Sequence, residues 1–431
     1  MKKSALLLGL SLLTHQAFAA LTEKEQAMVD YINQSNPKAL TLLEDLVNIN
    51  SGTMNFAGVE KVANTLIPEF KALGFDARFE EGSAFNRAGH LVAELHGGTG
   101  PKLLLIGHLD TVFEPESPFQ TFEKISDTVA KGPGIADMKG GDVIILQALR
   151  ALDATGELKD MNIMVVMTGD EELSGRPLAL SKKALTDGAK WADIALGFEN
   201  GDGNPATANV SRRGSVDWTL TVKGVPSHSS QIFKDSVGAG SIYEASRILT
   251  TFYSELRSEE LLTYNPGRIM GGTDVTHDKK SNSGTTFGKN NVVAETTIVT
   301  GDIRAISEKQ LTRVKQKMSK IVADSLPQTQ SHIEFGEGYP ALAPTAGNKA
   351  LLGIYSTVSE DLGQGAVGAV NPLNAGAADV SFTSQYVDMA IDGLGMSGAG
   401  AHTVKETGIL NALPAQSKRA AVLLYRLKRQ D

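Results

Sequence analysis

The hydrophobic pattern of the first half of the chain alternates between helical and strand-like segments. Apolar positions recur at helical spacing in residues 23–47 and again in residues 59–73. Continuous apolar runs, which are typical of strands buried on both faces, occupy residues 103–106, 163–167 and 194–198. The alternation of buried strands with helices predicts an α/β fold, a mostly parallel sheet with helices on both faces.

The pattern changes between about residue 210 and about residue 340. Residues 216–222 alternate apolar and polar, as expected for a half-exposed antiparallel strand. Further segments are predicted as helices or strands at 242–256, 292–303, 308–322 and 333–335. Residues 271–288 are rich in Gly, Ser, Thr, Asn and Lys and predict a loop. This block therefore predicts a smaller α+β domain that interrupts the first one.

The length of the chain agrees with two domains. It has 431 residues, which exceeds the usual size of one domain. We place the first domain at residues 20–209 and 341–431, and the inserted domain at residues 210–340. Helix and buried strand return in the last segment.

The N-terminus has the three parts of a secretory signal. Lys2 and Lys3 precede an apolar stretch at 5–13, and the small residues Ala17 and Ala19 suit a signal peptidase. The stretch is too short to span a bilayer, and no later segment is long and apolar enough to do so. We predict a cleaved signal peptide at residues 1–19 and a periplasmic or extracellular protein. The alternative is a buried N-terminal helix.

Composition narrows the chemistry. The chain has no cysteine, so a metal site must use His, Asp and Glu. For the same reason, the exported protein would have no disulfide bonds to stabilise it. The formal net charge is −8, or −10 once the two signal lysines are subtracted. An acidic chain without a basic run is a poor nucleic-acid binder, so we expect neither nucleic acid nor membrane insertion.

Candidate chemistry follows the buried strands. His108 and Asp110 come directly after the run 103–106, where the carboxyl ends of parallel strands form the binding crevice of α/β proteins. Further candidates are Asp137 in the glycine-rich stretch 132–141, the adjacent Glu171 and Glu172, Glu199, and His402 in a small-residue loop. Taken singly, each also fits a structural pair, a glycine-rich turn or a solvated turn. Together they mark several ends of one sheet.

In combination these residues resemble the co-catalytic zinc exopeptidases, a family that includes glutamate carboxypeptidases of the carboxypeptidase G type, aminoacylases, succinyl-diaminopimelate desuccinylases and tripeptidases. The glutamate carboxypeptidase branch is the most similar. The resemblance covers nearly the whole chain after the signal. It rests on the segments 107–112, 134–141, 170–172, 198–199, 227–229 and 291–293, together with Arg304 and His402.

The resemblance implies a site with two Zn²⁺ ions per subunit, for which Co²⁺ or Mn²⁺ could substitute. Asp137 would bridge the ions, followed by a cis peptide bond. The remaining ligands would be His108 and Glu199 on one ion, and Glu172 and His402 on the other. Asp110 would hold the His108 ring, and Glu171 would be the general base. Two close cations acidify a water and polarise a carbonyl, and a nearby carboxylate can then move the proton.

The resemblance also assigns roles to the inserted domain, as a lid and dimerisation domain. His228 would stabilise the oxyanion across a homodimer, acting on the partner's site; the alternative is a surface histidine at a strand end. Asn291 and Arg304 would bind the carboxylate of the substrate, which suits the planar fork of arginine.

One position departs from the glutamate carboxypeptidase pattern. The branch has an arginine near the end of the lid that binds the glutamate side chain, whereas this chain has Tyr339 there. Arg212 and Arg213 at the lid's entry could compensate, and Arg213 is our candidate for substrate binding. The alternative is that both are hinge surface charges.

We therefore predict a zinc-dependent metallo-exopeptidase, a carboxypeptidase. Its substrate would be a small peptide or N-acyl amino acid with a free carboxylate, with C-terminal glutamate as the nearest analogy. One alternative is an aminoacylase, deacetylase or desuccinylase. An alternative of another class is a non-catalytic periplasmic binding protein, which the presence of Glu171 disfavours.

Overall fold

The computed structural model describes residues 21–279 and 281–429, so the predicted signal peptide lies outside the described residues. Two sheets dominate. The larger has six strands in the order Asp76–Glu81, Gly89–His96, Asn162–Thr168, Lys102–His108, Ile194–Gly197 and Met389–Ile391. The last four are mutually parallel, and Gly89–His96 pairs antiparallel with both of its neighbours.

Helices cover both faces of this sheet, which confirms the predicted fold class. One face packs against the helices Glu23–Val47, Phe56–Ala72, Gly140–Ala154, Ala346–Asp361 and Ala412–Lys428. The other face packs against the helix Lys183–Trp191, which follows the short helix Leu178–Ser181, and against the 3₁₀ turn Asp379–Thr383. Leu103 and Leu105 point to the first core and Leu104 and Ile106 to the second, so the whole run is apolar because both faces are buried.

The first helix begins where its sequence supplies a capping box. The Thr22 side chain accepts the Glu25 N–H at 3.3 Å, and the Glu25 carboxylate accepts the Thr22 N–H at 2.7 Å. The second helix begins at Phe56, three residues before the predicted start, because the Asn55 side chain caps it by accepting the Gly58 N–H.

The strands of the second sheet come, in the sequence, between the two segments that form the first domain. Its four antiparallel strands are, in order, Thr263–Gly272, Thr296–Arg304, Val216–Lys223 and Gln330–Phe335. Helices Gly240–Leu256 and Glu308–Ala323 cover one face around the buried Trp218. We call this unit the lid. The two segments that connect the lid to the rest of the chain run side by side, because Arg212 forms a β-bridge with Leu342 and Ser215 forms one with Tyr339.

The prediction of a loop at 271–288 is wrong. The segment contains the antiparallel hairpin Asp274–Asp278 and Ser283–Phe287. Threonine, valine and phenylalanine favour strand here, and their pattern is obscured by the glycines and aspartates of the same segment. The predicted strand at 292–303 begins later, at Thr296.

The remaining strands are short and form two further small sheets. They are Glu123–Lys124, Val129–Lys131, Thr207–Ala208, Gly368–Ala369, Gly398–Ala399 and Thr407–Ile409. Thr407–Ile409 pairs with both Val129–Lys131 and Gly398–Ala399. These pairings fix the loop that carries His402.

Candidate metal centre

The candidate ligands meet because three neighbouring strands end at one edge. His108 is the last residue of its strand and pairs with Thr168, after which come Glu171 and Glu172. Ile106 pairs with Gly197, two residues before Glu199. Parallel strands deliver their carboxyl-terminal residues to the same side, so the three segments converge.

The first of two ligand groups is built around His108. Its Nε2 lies 3.2 Å from Oδ1 of Asp137 and 3.4 Å from Oε1 of Glu199. Its Nδ1 lies 3.0 Å from the carbonyl oxygen of Asp110 and 3.5 Å from that residue's carboxylate. A second nitrogen that is hydrogen-bonded in this way orients an imidazole toward a metal.

The second group shares Asp137 with the first. Nε2 of His402 lies 3.1 Å from Oδ2 of Asp137 and 3.1 Å from Oε2 of Glu172. Within each group the donor atoms lie within 4.8 Å of one another. Because Asp137 offers one oxygen to each group, the arrangement has the form of a dinuclear centre with one bridging carboxylate.

The electrostatics of the centre call for cations. Burial, followed by the charge of Asp137, raises the pKa of Glu199 to about 7. Burial, followed by the charge of Glu199, raises the pKa of Glu171 well above its usual range. Hydrogen bonds to Asp137 and Glu172 raise the pKa of His402 to about 11. Two divalent ions would neutralise these buried carboxylates, which have too little positive charge around them. Imidazole and carboxylate ligands suit zinc, cobalt or manganese.

The backbone around Asp137 has no room for larger residues. The peptide bond between Asp137 and Met138 is cis, which confirms that prediction. Gly134 has φ +74°, and a Cβ there would lie 2.6 Å from Cγ2 of Thr111. A Cβ on Gly141 would lie 2.1 Å from the carbonyl oxygen of Phe198. The glycines of this stretch therefore permit close packing around one carboxylate.

Glu171 lies beside the centre but belongs to neither ligand group among the residues described. The Asp110 carboxylate accepts the N–H groups of Glu171 and Glu172 at 3.1 and 3.2 Å and the Thr53 hydroxyl at 2.6 Å. Asp110 therefore contacts both the His108 ring and the segment that carries Glu171.

A buried charge network, which sequence reasoning missed, lies under Glu171. Lys182 contacts the carboxylates of Asp170 and Asp379 at 2.9 and 3.0 Å. The Tyr339 hydroxyl lies 3.1 Å from the carbonyl oxygen of Glu171 and 3.2 Å from the Asp379 carboxylate. Tyr339 is therefore packed beneath Glu171, where it already has polar partners. The sequence offers no signal for these contacts, since Asp379 is remote in the chain.

The structure of a single chain does not bring the predicted lid residues to the centre. His228 is exposed and bonds to Ser230 at 2.9 Å, and Asn291 is exposed. Among residues 21–279 and 281–429, none of the hydrogen bonds or ion pairs of these two side chains reaches a candidate ligand.

The lid arginines have partners of their own. Arg304 contacts Asp302 at 3.0 Å. Arg213 is buried and donates to Thr263 and to a main-chain carbonyl, with its Nε unpaired. Its pKa is lowered by burial and then by the charge of Arg304, so the two guanidinium groups are neighbours. Arg212, in contrast, is paired with Asp392 at 2.6 Å.

A dinuclear ligand set at the strand ends of a sheet covered on both faces, with a free carboxylate beside it, defines a metallohydrolase. The chain belongs to the peptidase family M20/M25/M40, whose model matches residues 104–426. It is therefore a hydrolase that acts on peptide or amide bonds.

Relatives agree with this membership. Carboxypeptidase G2 of Pseudomonas sp. (strain RS-16) is 25% identical over 418 residues, which cover 95% of this chain and 94% of that protein. A succinyl-diaminopimelate desuccinylase of Rhodopseudomonas palustris (strain TIE-1) is 29% identical over 248 residues, 54% of this chain and 62% of that protein.

Solved structures share the fold. Aminopeptidase PepT from Bacillus cereus ATCC 10987 superposes with a TM-score of 0.71 at 17% identity, over 91% of this chain and 98% of that one. A tripeptidase from Staphylococcus aureus superposes with a TM-score of 0.68 at 19% identity, over 92% of this chain and 99% of that one.

In the part of the chain that the structure describes, no helix has the length and apolar character needed to cross a membrane.

Proposed function

We propose that the protein is a zinc-dependent carboxypeptidase that hydrolyses the amide bond of a small peptide or N-acyl amino acid with a free carboxylate. The observation that carries the proposal is the Asp137 carboxylate shared by two ligand groups, with Glu171 beside both and a member of neither. The similarity to carboxypeptidase G2 over nearly the whole chain supports a carboxypeptidase.

His108, Asp137, Glu172, Glu199 and His402 would hold the two ions. When bound, the ions would supply a Lewis acid for the substrate carbonyl and acidify a water. Glu171 takes the proton of the attacking water and passes it to the amine as the carbon–nitrogen bond breaks. Asp110 keeps the Glu171 segment in place through its N–H groups. The products are a carboxylic acid and a free amine.

Recognition of the substrate's carboxylate is assigned to the lid. Arg304 and Asn291 are the proposed contacts, and the charge of Arg213 acts on that of Arg304. Two neighbouring guanidinium groups beside the single carboxylate of Asp302 leave positive charge for an anion. Release of glutamate in particular has no support from Tyr339, whose hydroxyl is occupied beneath Glu171.

A homodimer would complete the site by supplying His228 from the partner. The lid carries a face suited to such contact, on the helix Gly240–Leu256 and the edge strand Thr263–Gly272. Its exposed large apolar side chains are Ile242, Tyr243, Tyr253 and Ile269. We propose that these side chains form the contact surface between the lids of the two subunits. Sedimentation of Tyr253→Lys as a monomer beside a dimeric wild type would support this face, and a monomeric wild type would refute it.

The experiment that tests the function is a substrate panel. Chelated enzyme is reconstituted with Zn²⁺ or Co²⁺ and assayed on dipeptides, folates and N-acyl amino acids. A carboxypeptidase cleaves the dipeptides or folates fastest, whereas an aminoacylase or desuccinylase, which the partial desuccinylase match favours, prefers acyl substrates. No hydrolysis of any member with two ions bound would refute the proposal.

Export completes the proposal. Residues 1–19 would direct the chain to the periplasm or beyond and be removed. Mass spectrometry of the protein from the periplasmic fraction should give a chain that begins at Ala20. An intact chain in the cytosolic fraction would contradict this.

A further inference from the structure

The loop between Gly398–Ala399 and Thr407–Ile409 contains His402 and, four residues later, Glu406. The Glu406 carboxylate contacts the backbone of the segment that carries Asp137. Glu406 is almost completely buried. Its Oε1 accepts the backbone N–H groups of Ala136 and Asp137 at 3.0 and 3.1 Å, and its Oε2 accepts that of Gly134 at 3.1 Å.

These three N–H groups need an acceptor because their segment is irregular. Gly134 has a left-handed backbone, and Asp137 has φ −121° and ψ 88°, so a helical hydrogen-bond ladder does not form here. A buried N–H without a partner costs about 1–3 kcal/mol. A carboxyl group offers two oxygens with several acceptor sites, which makes it well suited to fix three donors at once.

The contacts of Glu406 join the C-terminal part of the chain to the segment around Asp137. The backbone of Gly132 also donates to the Glu406 carbonyl at 3.4 Å. The strand after Glu406 pairs with Val129–Lys131, immediately before the same segment. One short loop therefore presents His402 to the second ligand group and holds the backbone of Asp137, the residue common to both groups.

We propose that Glu406 is a positioning residue that sets the bridging carboxylate of Asp137 and thereby the affinity for both ions. The inference rests on the dinuclear centre of the proposed function. A group that holds Asp137 must act on both ions, whereas His402 contacts one ligand group. This difference separates positioning from a local effect on the His402 loop.

Glu406→Gln is the direct test. The glutamine amide would replace one acceptor oxygen with a donor, so at least one of the three N–H groups would lose its partner. Loss of a hydrogen-bond partner behind a metal ligand typically weakens metal binding by about 10–100-fold. We expect a weakening of this size for both ions.

Two variants serve as matched comparisons. Thr403→Val removes the hydroxyl that donates to the Gly400 carbonyl and accepts the Lys405 N–H, so it disturbs the loop without touching residues 134–137. His402→Ala removes one ligand. Both should weaken one ion and leave the ion of His108 and Glu199 bound tightly.

The measurement is competition of Zn²⁺ between the full-length protein and a chromophoric chelator, with thermal unfolding of the metal-free and zinc-loaded forms. Two dissociation constants raised together by Glu406→Gln support the proposal. A lower melting temperature of the metal-free protein with both constants unchanged would overturn it, as would weakening of one ion alone. If Glu406→Gln does not fold, Glu406→Asp, which moves the carboxylate by one methylene, is held to the same criteria. A wild type that binds fewer than two ions refutes the centre itself, a separate outcome.

Discussion

Replacing Lys182 with methionine should destabilise the catalytic domain more than any surface charge change. The Lys182 side chain is 1% exposed, and its ammonium lies between the buried carboxylates of Asp170 and Asp379. Methionine fills a similar volume but leaves two buried acids without their cation. Removing one partner of a buried ion pair costs about 3–5 kcal/mol, so we expect a loss in this range at pH 7.

The loss should shrink as the pH falls. Burial acts to raise the pKa of Asp170, but Lys182 and hydrogen bonds hold it below its usual range. In the wild type, this carboxylate stabilises the fold above its unfolded pKa of about 3.9, and the contribution is lost as pH falls through the folded pKa. Without Lys182, burial acts unopposed by that charge. Folding of the variant then takes up a proton, and the variant approaches the wild type as pH falls toward the unfolded pKa of about 3.9.

The assay is urea unfolding of the metal-free protein followed by tryptophan fluorescence. The chain has two tryptophans, Trp191 in the catalytic domain and Trp218 in the lid. In a Trp218→Phe background the signal reports the catalytic domain alone. Lys183→Met is the matched control, because Lys183 is 67% exposed and pairs with Asp187 on the surface; no measurable change is expected. A loss below about 1 kcal/mol for Lys182→Met, or a loss that grows toward low pH, would refute the reasoning.

Three further predictions concern catalysis. Glu171→Gln should keep both metals, measured by elemental analysis, and lower turnover by about 10²–10⁴-fold, whereas Glu172→Gln should lose metal; metal loss with the first variant would reverse the two roles. Amidation of the substrate's carboxylate should strongly lower kcat/KM, because the amide lacks the negative charge that Arg304 is proposed to bind in addition to Asp302, and equal rates on acid and amide would exclude that role. Glu171→Gln and His228→Ala chains, each nearly inactive alone, should regain roughly a quarter of the wild-type sites when mixed by refolding, since half the dimers are hybrids with one intact site each. No recovery after demonstrated chain exchange would place His228 in its own chain's site.

The buried strands and the position of His108 are predictable from the sequence because the residues that indicate them are adjacent in the chain. Residues 103–106 are apolar throughout since both faces are covered, and His108 follows directly where such strands end in a crevice. The division of the ligands into two groups and the cis bond after Asp137 are predicted only from the family resemblance, which joins motifs that lie far apart in the chain.

What escaped prediction depends on contacts between distant segments. Lys182 resembles Lys183 in sequence, yet one is buried between two acids and the other is on the surface. Glu406 meets residues some 270 positions earlier through three N–H groups, which no side-chain motif encodes. The hairpin at 274–287 was missed for another reason, since turn-forming residues masked a strand pattern in a polar segment.

The two ligand groups are completed at different stages of synthesis. His108, Asp137 and Glu199 all precede the lid in the chain, whereas His402 of the second group follows it. Glu406, which accepts the N–H of Asp137, also follows the lid. An emerging chain therefore carries the first ligand set before the segment that positions it has been made. We expect a chain that ends before residue 402 to bind no more than one ion, and to bind it weakly, so that hydrolysis requires the C-terminal segment.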